Sequence, residues 1–370
     1  MKRIYVAATE QHAGKTTVSV GLYRSAVARG YKTCFIKPVG QRYVIEEDEQ
    51  VDEDAVLFKR ALSAQGAIKD LSPVTVPRGF TETYIFHRDA KGIHSAIMNA
   101  VRAVEAAHDL TIVEGTGHAG VGSVLDSSNA QVAKLLEAQC LIVTGGGIGR
   151  CIDELCLNRA LFDNFGVPII GAVINKVYED KYDKVSAAVR QGLANVGMEC
   201  LGFIPYCKEL TYPTMIQLQE EYGLEVLSGS EHLTNKVQNI IVAAMTPQNM
   251  INYLSDGTLV VVPGDRVDNI LASINAHLMT QTGGAPRIAG LLLTGGFMPH
   301  LSIVNILYEV DVPVLLTDDD TAAAAFKMGS LVPKITARDT DKIALAEQII
   351  KEHVNLDRVF EAVGLPATST

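Results

Sequence analysis

Long apolar runs are missing from this chain of 370 residues. None reaches the roughly 18–20 residues that a membrane-spanning helix needs, so no membrane partner is expected. The opening Met1-Lys2-Arg3-Ile4-Tyr5-Val6 enters strand-like sequence directly. It lacks the apolar stretch of about 7–15 residues and the cleavage site of a secretory signal. An excess of positive charge is missing as well. The formal net charge is −10, and a nucleic-acid backbone needs a basic surface. Nucleic acid is therefore not expected as a main partner, and any bound anion must be held by a local site. Cysteine pairs are also missing. The six cysteines form no C-x-x-C, and the nearest two, Cys151 and Cys156, fall on one helical pattern. Ordinary thiols in a reducing, cytoplasmic compartment are the expectation. Internal repeats, low-complexity tracts and long linkers are absent too.

What remains is globular composition, 48% hydrophobic and 20% charged, long enough for two domains with their own cores. Short β-rich runs at 3–8, 32–37, 110–114, 140–144, 168–175 and 199–204 alternate with helical patterns at 15–28, 90–107, 130–137, 152–165 and 181–196. Apolar runs of that length separated by helices predict a parallel sheet covered on both faces, a doubly wound α/β domain over 1–210. The pattern loosens from Cys207 to Thr234, which reads as the junction. Strand runs at 240–243, 259–262, 288–293 and 314–316, with helices at 249–254, 267–278 and 302–308, predict a smaller α/β domain over 211–335. A helix at 342–353 belongs to a C-terminal helical tail over 336–370, frayed after Gly364.

The first run ends at Ala8 and opens into Thr9-Glu10-Gln11-His12-Ala13-Gly14-Lys15-Thr16-Thr17, after which a helix begins. Gly14, Lys15 and Thr16 fit the P-loop pattern G-x-x-x-x-G-K-[ST], with Thr9 in place of the first glycine. Loop amides and the helix N-terminus hold phosphate oxygens, Lys15 reaches the β- and γ-phosphates, and the Thr16 hydroxyl ligates Mg²⁺. ATP and Mg²⁺ are thus the expected cofactors, with Thr9, Gln11, His12, Ala13, Gly14, Lys15, Thr16 and Thr17 around the phosphates. Deviant P-loop ATPases that partition DNA carry a signature lysine where Thr9 stands, so that type is disfavoured.

Further residues fall at ends of the same predicted sheet. Lys37, in Lys37-Pro38-Val39, is placed for the γ-phosphate or an anionic substrate; otherwise it is a solvated strand-end lysine. Val51-Asp52-Glu53-Asp54 opens a helix, and its acids are dipole partners or, at Asp54, an Mg²⁺ carboxylate. Glu114 ends an apolar strand as a Walker-B-like acid beside Mg²⁺, and the glycine-rich loop after it carries His118, a ligand or a backbone brace. Gly145-Gly146-Gly147-Ile148-Gly149-Arg150 is another glycine-rich strand end, and a tight turn satisfies it equally. Asn175-Lys176 and Pro205-Tyr206 close two more strands, where an asparagine amide suits an adenine edge.

The loop T-E-Q-H-A-G-K-T, the K-P-V, the E-G-T-G and the N-K followed by I-P-Y occur in the order found in dethiobiotin synthetase, which residues 1–210 resemble. E-G-T-G-H-A-G-V-G-S-V and G-G-G-I-G-R are similar to the synthetase-like N-terminal domain of long phosphotransacetylases. The second half resembles their DRTGG domain through Pro263-Gly264-Asp265-Arg266 and Leu293-Thr294-Gly295-Gly296. The resemblance implies a P-loop NTPase fold with a DRTGG-like domain and a homodimer with its site near the interface. It assigns catalytic roles to Lys15, Lys37 and Glu114, and Mg²⁺ to Thr16, Asp54 and Glu114. Asn175, with Lys176 and Pro205, takes the adenine.

The departures are equally informative. Dethiobiotin synthetase has no second domain, and its serine-bearing segment is Gly40-Gln41-Arg42-Tyr43 here. Within these 370 residues no acetyltransferase domain is expected after the second domain. Cobyrinic acid a,c-diamide synthase shares a related ATP domain, but its glutaminase cysteine has no counterpart, because no cysteine follows Cys207.

In the second domain, Gly264, Asp265 and Arg266 at a helix start, with Thr294, Gly295 and Gly296 at a neighbouring strand end, are candidates to hold a second, anionic ligand. A capped helix and a tight turn explain them as well. Asp318-Asp319-Asp320 reads first as a helix cap. Two functions of different class follow: an enzyme using ATP to activate a small carboxylate or carbamate, and a nucleotide-sensing regulatory module without a catalytic acetyltransferase domain.

Overall fold

The computed structural model describes residues 1–279 and 286–366. Most of the expected frayed end lies outside them. The chain divides into two compact units, one of Met1–Leu210 with Lys334–Thr370 and one of Thr211–Pro333.

The first unit is built on six strands: β1 (Lys2–Ala8), β2 (Thr33–Ile36), β3 (Leu110–Glu114), β4 (Gln139–Gly145), β5 (Ile169–Val177) and β6 (Cys200–Pro205). They lie in the order β6-β5-β4-β1-β3-β2, all parallel. Side chains alternate across the sheet. Ile4, Val6 and Ala8 enter one core with Val18, Leu22, Phe58, Ile350 and Phe360, while Tyr5 and Ala7 enter the other with Ile97, Val101, Leu155, Phe162 and Val189. Both faces are thus covered, which is why the strands read as continuous apolar runs. Helix α1 (Lys15–Ala28) follows β1, and α2 (Glu53–Ala61) lies on the same face.

That face is completed by residues from the far end of the chain. The predicted separate tail is instead part of the first unit: Ile343, Ala346, Ile349 and Ile350 of helix Thr340–His353 are buried in the α1 core. Packing is close at Gly21 of α1, where a Cβ would stand 2.3 Å from Ile350 Cβ. Arg24 pairs with Glu347 at 2.8 Å and Arg29 with Asp357 at 2.7 Å.

Between β2 and α2 the chain makes two small pieces that periodicity did not reveal. Tyr43–Glu46 and Glu49–Asp52 form an antiparallel hairpin turned by Glu47 and Asp48, both at positive φ. Val39–Gly40 pairs in parallel with Val74–Thr75. The hairpin delivers Asp52 to the N-cap of α2, where its carboxylate accepts from Asp54 N at 3.0 Å.

The second unit has strands β7 (Glu225–Ser228), β8 (Asn239–Val242), β9 (Thr258–Pro263), β10 (Gly290–Thr294) and β11 (Val314–Leu316), in the order β7-β11-β10-β9-β8. Only β7 runs antiparallel to its neighbour. Cores lie on both faces, around Val260, Ile270 and Leu293 on one and Leu218, Val261 and Leu292 on the other. The stretch read as a loosened junction in fact carries helix Met215–Tyr222, closed by a Thr214–Gln217 capping box, and the edge strand β7. Short elements with few apolar residues leave too weak a period to detect.

Candidate functional site

Strand β1 ends at Ala8, and Thr9 fixes the start of the loop. Its N–H donates to Val143 O at 3.0 Å, and its hydroxyl lies 3.0 Å from Thr144 Oγ1 and 3.1 Å from Glu154 Oε2. Threonine therefore anchors the loop to β4 where the general pattern has glycine. His12 and Gly14 take positive φ, 58° and 103°. At Gly14 any side chain would also meet Asn175 Nδ2, 2.0 Å from an ideal Cβ. Helix α1 then begins at Lys15 with no side-chain cap and no acid in its first turn. Such an N-terminus presents backbone N–H groups and a positive dipole end to an anion.

Lys15 is buried, its Nζ 3.3 Å from Gly117 O and 3.4 Å from Glu10 O. Burial, and then the nearby Lys37, lower it to about 8. Lys37 lies deeper, donating to Asp54 Oδ2 at 2.7 Å, Glu114 Oε1 at 3.0 Å and Gly115 O at 3.2 Å. It is no solvated strand-end lysine: its side chain is 4% exposed. Burial opposes its charge, but Asp54, Glu114 and Asp52 hold it well above the usual lysine value. Burial likewise opposes ionisation of Asp54, yet Lys334 and Lys37 bring that carboxyl far below its ordinary value. Glu114 is shifted up, because burial outweighs Lys37 there. Asp52 is pushed up to about 7 by burial and by Asp54 beside it.

The oxygens of this cluster suit a hard divalent cation. Thr16 Oγ1 is 3.0 Å from Glu114 Oε1 and 3.4 Å from Asp54 Oδ1. Adjacent corners of an Mg²⁺ octahedron with bonds near 2.1 Å stand about 3 Å apart. Glu114 Oε2 is buried near the buried Ser19 hydroxyl, which lowers the Glu114 carboxyl against the rise that burial gives it. Among the described residues no group of three His, Cys, Asp or Glu side chains offers a complete metal site. The donors that fit Mg²⁺ are therefore Thr16, Asp54 and Glu114, with remaining positions for water or phosphate oxygen.

Asn175 and Lys176 sit at the end of β5 and support the loop from beside it. Asn175 Nδ2 donates to Ala13 O at 2.8 Å, Asn175 Oδ1 accepts from Lys176 N at 2.8 Å, and Lys176 Nζ donates to His12 O at 2.7 Å. Gln11 is exposed on the loop, and Pro205 ends β6 half-buried. Two aromatic rings that sequence reasoning passed over or left unassigned flank these strand ends, Tyr178 and Tyr206, with centroids 5.3 Å apart. His118 is exposed, and its Nδ1 accepts from Gly120 N at 3.2 Å, the backbone brace among its two expectations. The Gly145–Arg150 loop reaches the P-loop: Arg150 pairs with Glu10 at 2.7 Å and with Glu154 at 2.6 Å. Lys334 was missed altogether. It comes from the far end of the first unit and pairs with Glu53 at 2.7 Å.

The expected anion loops of the second unit are arranged differently. Gly264 N donates to Thr294 O, Gly295 N to Asp319 O and Gly296 N to Thr317 O, at 3.1, 2.8 and 3.0 Å. Those three amides are taken by carbonyls. Arg266 is held by both carboxylate oxygens of Asp268, at 2.9 and 3.0 Å. The Thr294 hydroxyl is 2.7 Å from Thr321 Oγ1. Asp265 is exposed, and Asp318 Oδ1 would stand 2.7 Å from a Cβ on Gly296. The site is acidic and its donors are engaged, so the expected anion cradle is not formed in this arrangement. Asp320 caps helix Thr321–Ser330, as expected.

Residues 2–214 match the AAA_26 family, described as an AAA domain. Residues 217–331 match the DRTGG domain. The chain belongs to the AAA_26 family. Its relatives include phosphate acetyltransferases of Nitratidesulfovibrio vulgaris, 27% identical over 95% of this chain and 50% of that protein, and of Pseudomonas putida, 25% identical over 99% and 52%. The chain thus spans about half the length of these curated relatives. A solved structure of the MinC:MinD cell division complex of Aquifex aeolicus aligns over 57% of this chain and 84% of its own, at 15% identity and a TM-score of 0.38. The AAA_26 unit holds every P-loop residue described above, and the DRTGG domain follows it as in the N-terminal part of long phosphotransacetylases. No helix of the described residues is long and apolar enough to cross a membrane.

Proposed function

We propose that the AAA_26 unit binds Mg·ATP and transfers or hydrolyses its γ-phosphoryl group. The observation that carries this reading is the meeting of Thr16, Asp54, Glu114 and Lys37 within hydrogen-bond range beside the uncapped start of α1. In transfer, an acceptor oxygen forms a bond to the γ-phosphorus while the bond to the β–γ bridging oxygen breaks and ADP leaves. The reaction concentrates negative charge on phosphoryl oxygens, and Lys15 with Lys37 supplies fixed positive charge there. A bound Mg²⁺ would add further charge neutralisation on the phosphates. The pocket beside Gly115, lined by Tyr5, Val39, Gln41, Thr116, Val124 and Ser127, supports this reading as the site of a small carboxylate or carbamate acceptor. Ser127 Oγ is buried there without a hydrogen-bond partner. Adenine goes to the ends of β5 and β6, beside Asn175, Pro205 and the Tyr178–Tyr206 rings. A homodimer in a cytoplasmic setting belongs to the same reading, and light scattering at micromolar concentration tests the dimer.

A second reading has its own support: nearly the whole chain aligns with half of proteins named phosphate acetyltransferase. The two units would then report nucleotide to a separate catalytic partner. Phosphate release from Mg·ATP, with and without small carboxylates, separates the two. Turnover that rises with one carboxylate supports the enzyme; tight binding without turnover supports the sensor.

A further inference from the structure

Lys334 is the first residue of the returning segment of the first unit, and its ammonium stands in the nucleotide site. Nζ is 2.7 Å from Glu53 Oε1 but 3.8 Å from Asp54 Oδ1. Arg42 approaches the same Glu53 oxygen at 3.6 Å. The two distances have different consequences. At 2.7 Å an ammonium makes a direct contact with its partner; at 3.8 Å it acts through charge and leaves the oxygen lone pairs open. Asp54 Oδ2 is already held by Lys37. Oδ1, facing the Thr16 hydroxyl at 3.4 Å, is the oxygen left for a cation.

We infer that Lys334 is a positioning residue of this site: held back by Glu53, it offsets the charge of Asp54 without covering Oδ1, and so sets the balance between divalent cation and free polyphosphate. The inference rests on the Mg·ATP reading. It requires two substitutions to act in opposite directions. Lys334→Met removes a positive charge, so a divalent cation is drawn in more strongly and a polyphosphate less. Glu53→Gln weakens the hold on the Lys334 ammonium and leaves its charge less offset, so that it competes more strongly with a cation at Asp54 Oδ1. Loss of the Glu53 charge alone would weaken Mn²⁺ equally in either background; if Glu53 acts by holding Lys334, Glu53→Gln has less effect on Mn²⁺ when Lys334 is already Met.

The test measures Mn²⁺ binding to the nucleotide-free full chain by electron paramagnetic resonance, and tripolyphosphate binding in chelator by calorimetry. Lys334→Met is expected to bind Mn²⁺ about five- to tenfold more tightly and tripolyphosphate several-fold more weakly. Glu53→Gln is expected to bind Mn²⁺ several-fold more weakly, and Lys334→Arg to stay within about twofold of the parent. In a parent that binds both probes, Mn²⁺ affinities that move the same way in Lys334→Met and Glu53→Gln, or do not move, overturn the role of Lys334 alone. A parent that binds neither probe removes the Mg·ATP reading itself, and this inference with it.

Discussion

Lys37 Nζ lies 2.7 Å from Asp54 Oδ2, with both side chains almost wholly buried. The same ammonium reaches Glu114 at 3.0 Å, so a single cation holds two carboxylates together at the mouth of the P-loop. Breaking a buried pair leaves an uncompensated charge, at a cost of about 3–5 kcal/mol. Lys37→Met is expected to lose stability on that scale in urea unfolding. Millimolar Mg²⁺ should restore part of the loss, since it supplies the missing positive charge to Asp54 and Glu114. A variant as stable as the parent, or one indifferent to Mg²⁺, contradicts this arrangement.

Gly21→Ala tests the packing of the returning helix. In an exposed helix interior this change gains roughly 0.5–1 kcal/mol. Here the new methyl meets Ile350 at 2.3 Å, and overpacking of this kind costs about 1–3 kcal/mol. The expected result is a lower melting temperature, relieved in Gly21→Ala/Ile350→Ala. A stabilised single variant would mean that the helix Thr340–His353 does not pack on α1.

Asn175 and Tyr178 should separate by what they lose. Asn175 is tied to Ala13 O, so Asn175→Ala loosens the loop and is expected to weaken ATP and tripolyphosphate alike, by about tenfold. Tyr178 lies against the Tyr206 ring and, among the described residues, makes no side-chain hydrogen bond to the loop; Tyr178→Ala should weaken ATP and leave tripolyphosphate unchanged. Competition binding measures both. Loss confined to ATP in Asn175→Ala would make that amide a reader of the base and not a brace.

Much of the P-loop cluster was legible because it is local. A strand, a G-K-T and a helix follow one another without interruption, and Lys37 and Glu114 end strands whose apolar runs announce them. The acids opening α2 could be read as helix caps or as metal carboxylates; Asp52 caps α2, while Asp54 faces Thr16 and Lys37. Lys334 was invisible, since nothing near it in sequence tells which core the following helix will join. The period of 340–353 predicts a helix but carries no address. The glycines at 295 and 296 left two readings open for a related reason. Glycine permits a turn and permits close approach to a ligand, and only the carbonyl partners of their amides show that the turn is the use made of them here.

The lowered value of Lys15, about 8, predicts proton uptake on binding. Below pH 8 the ammonium is already charged. Above it the free site is increasingly neutral, while a bound polyphosphate favours the charged form. ATP affinity should therefore fall with rising pH through this range, by up to about tenfold per unit. Calorimetry in buffers of different ionisation enthalpy should show protons taken up at pH 9. A slope equal to that of Lys15→Arg would assign the effect to another group.

The most direct measurement is calorimetric titration of Mg·ATP into the parent and into Lys15→Ala. Lys15 is buried against carbonyls and, among the described residues, pairs with no carboxylate in hydrogen-bond range, so its removal should leave the melting temperature close to that of the parent. The account predicts saturable Mg·ATP binding in the parent and none detectable in the variant. Equal binding in a folded Lys15→Ala, or no binding in the parent, would contradict it.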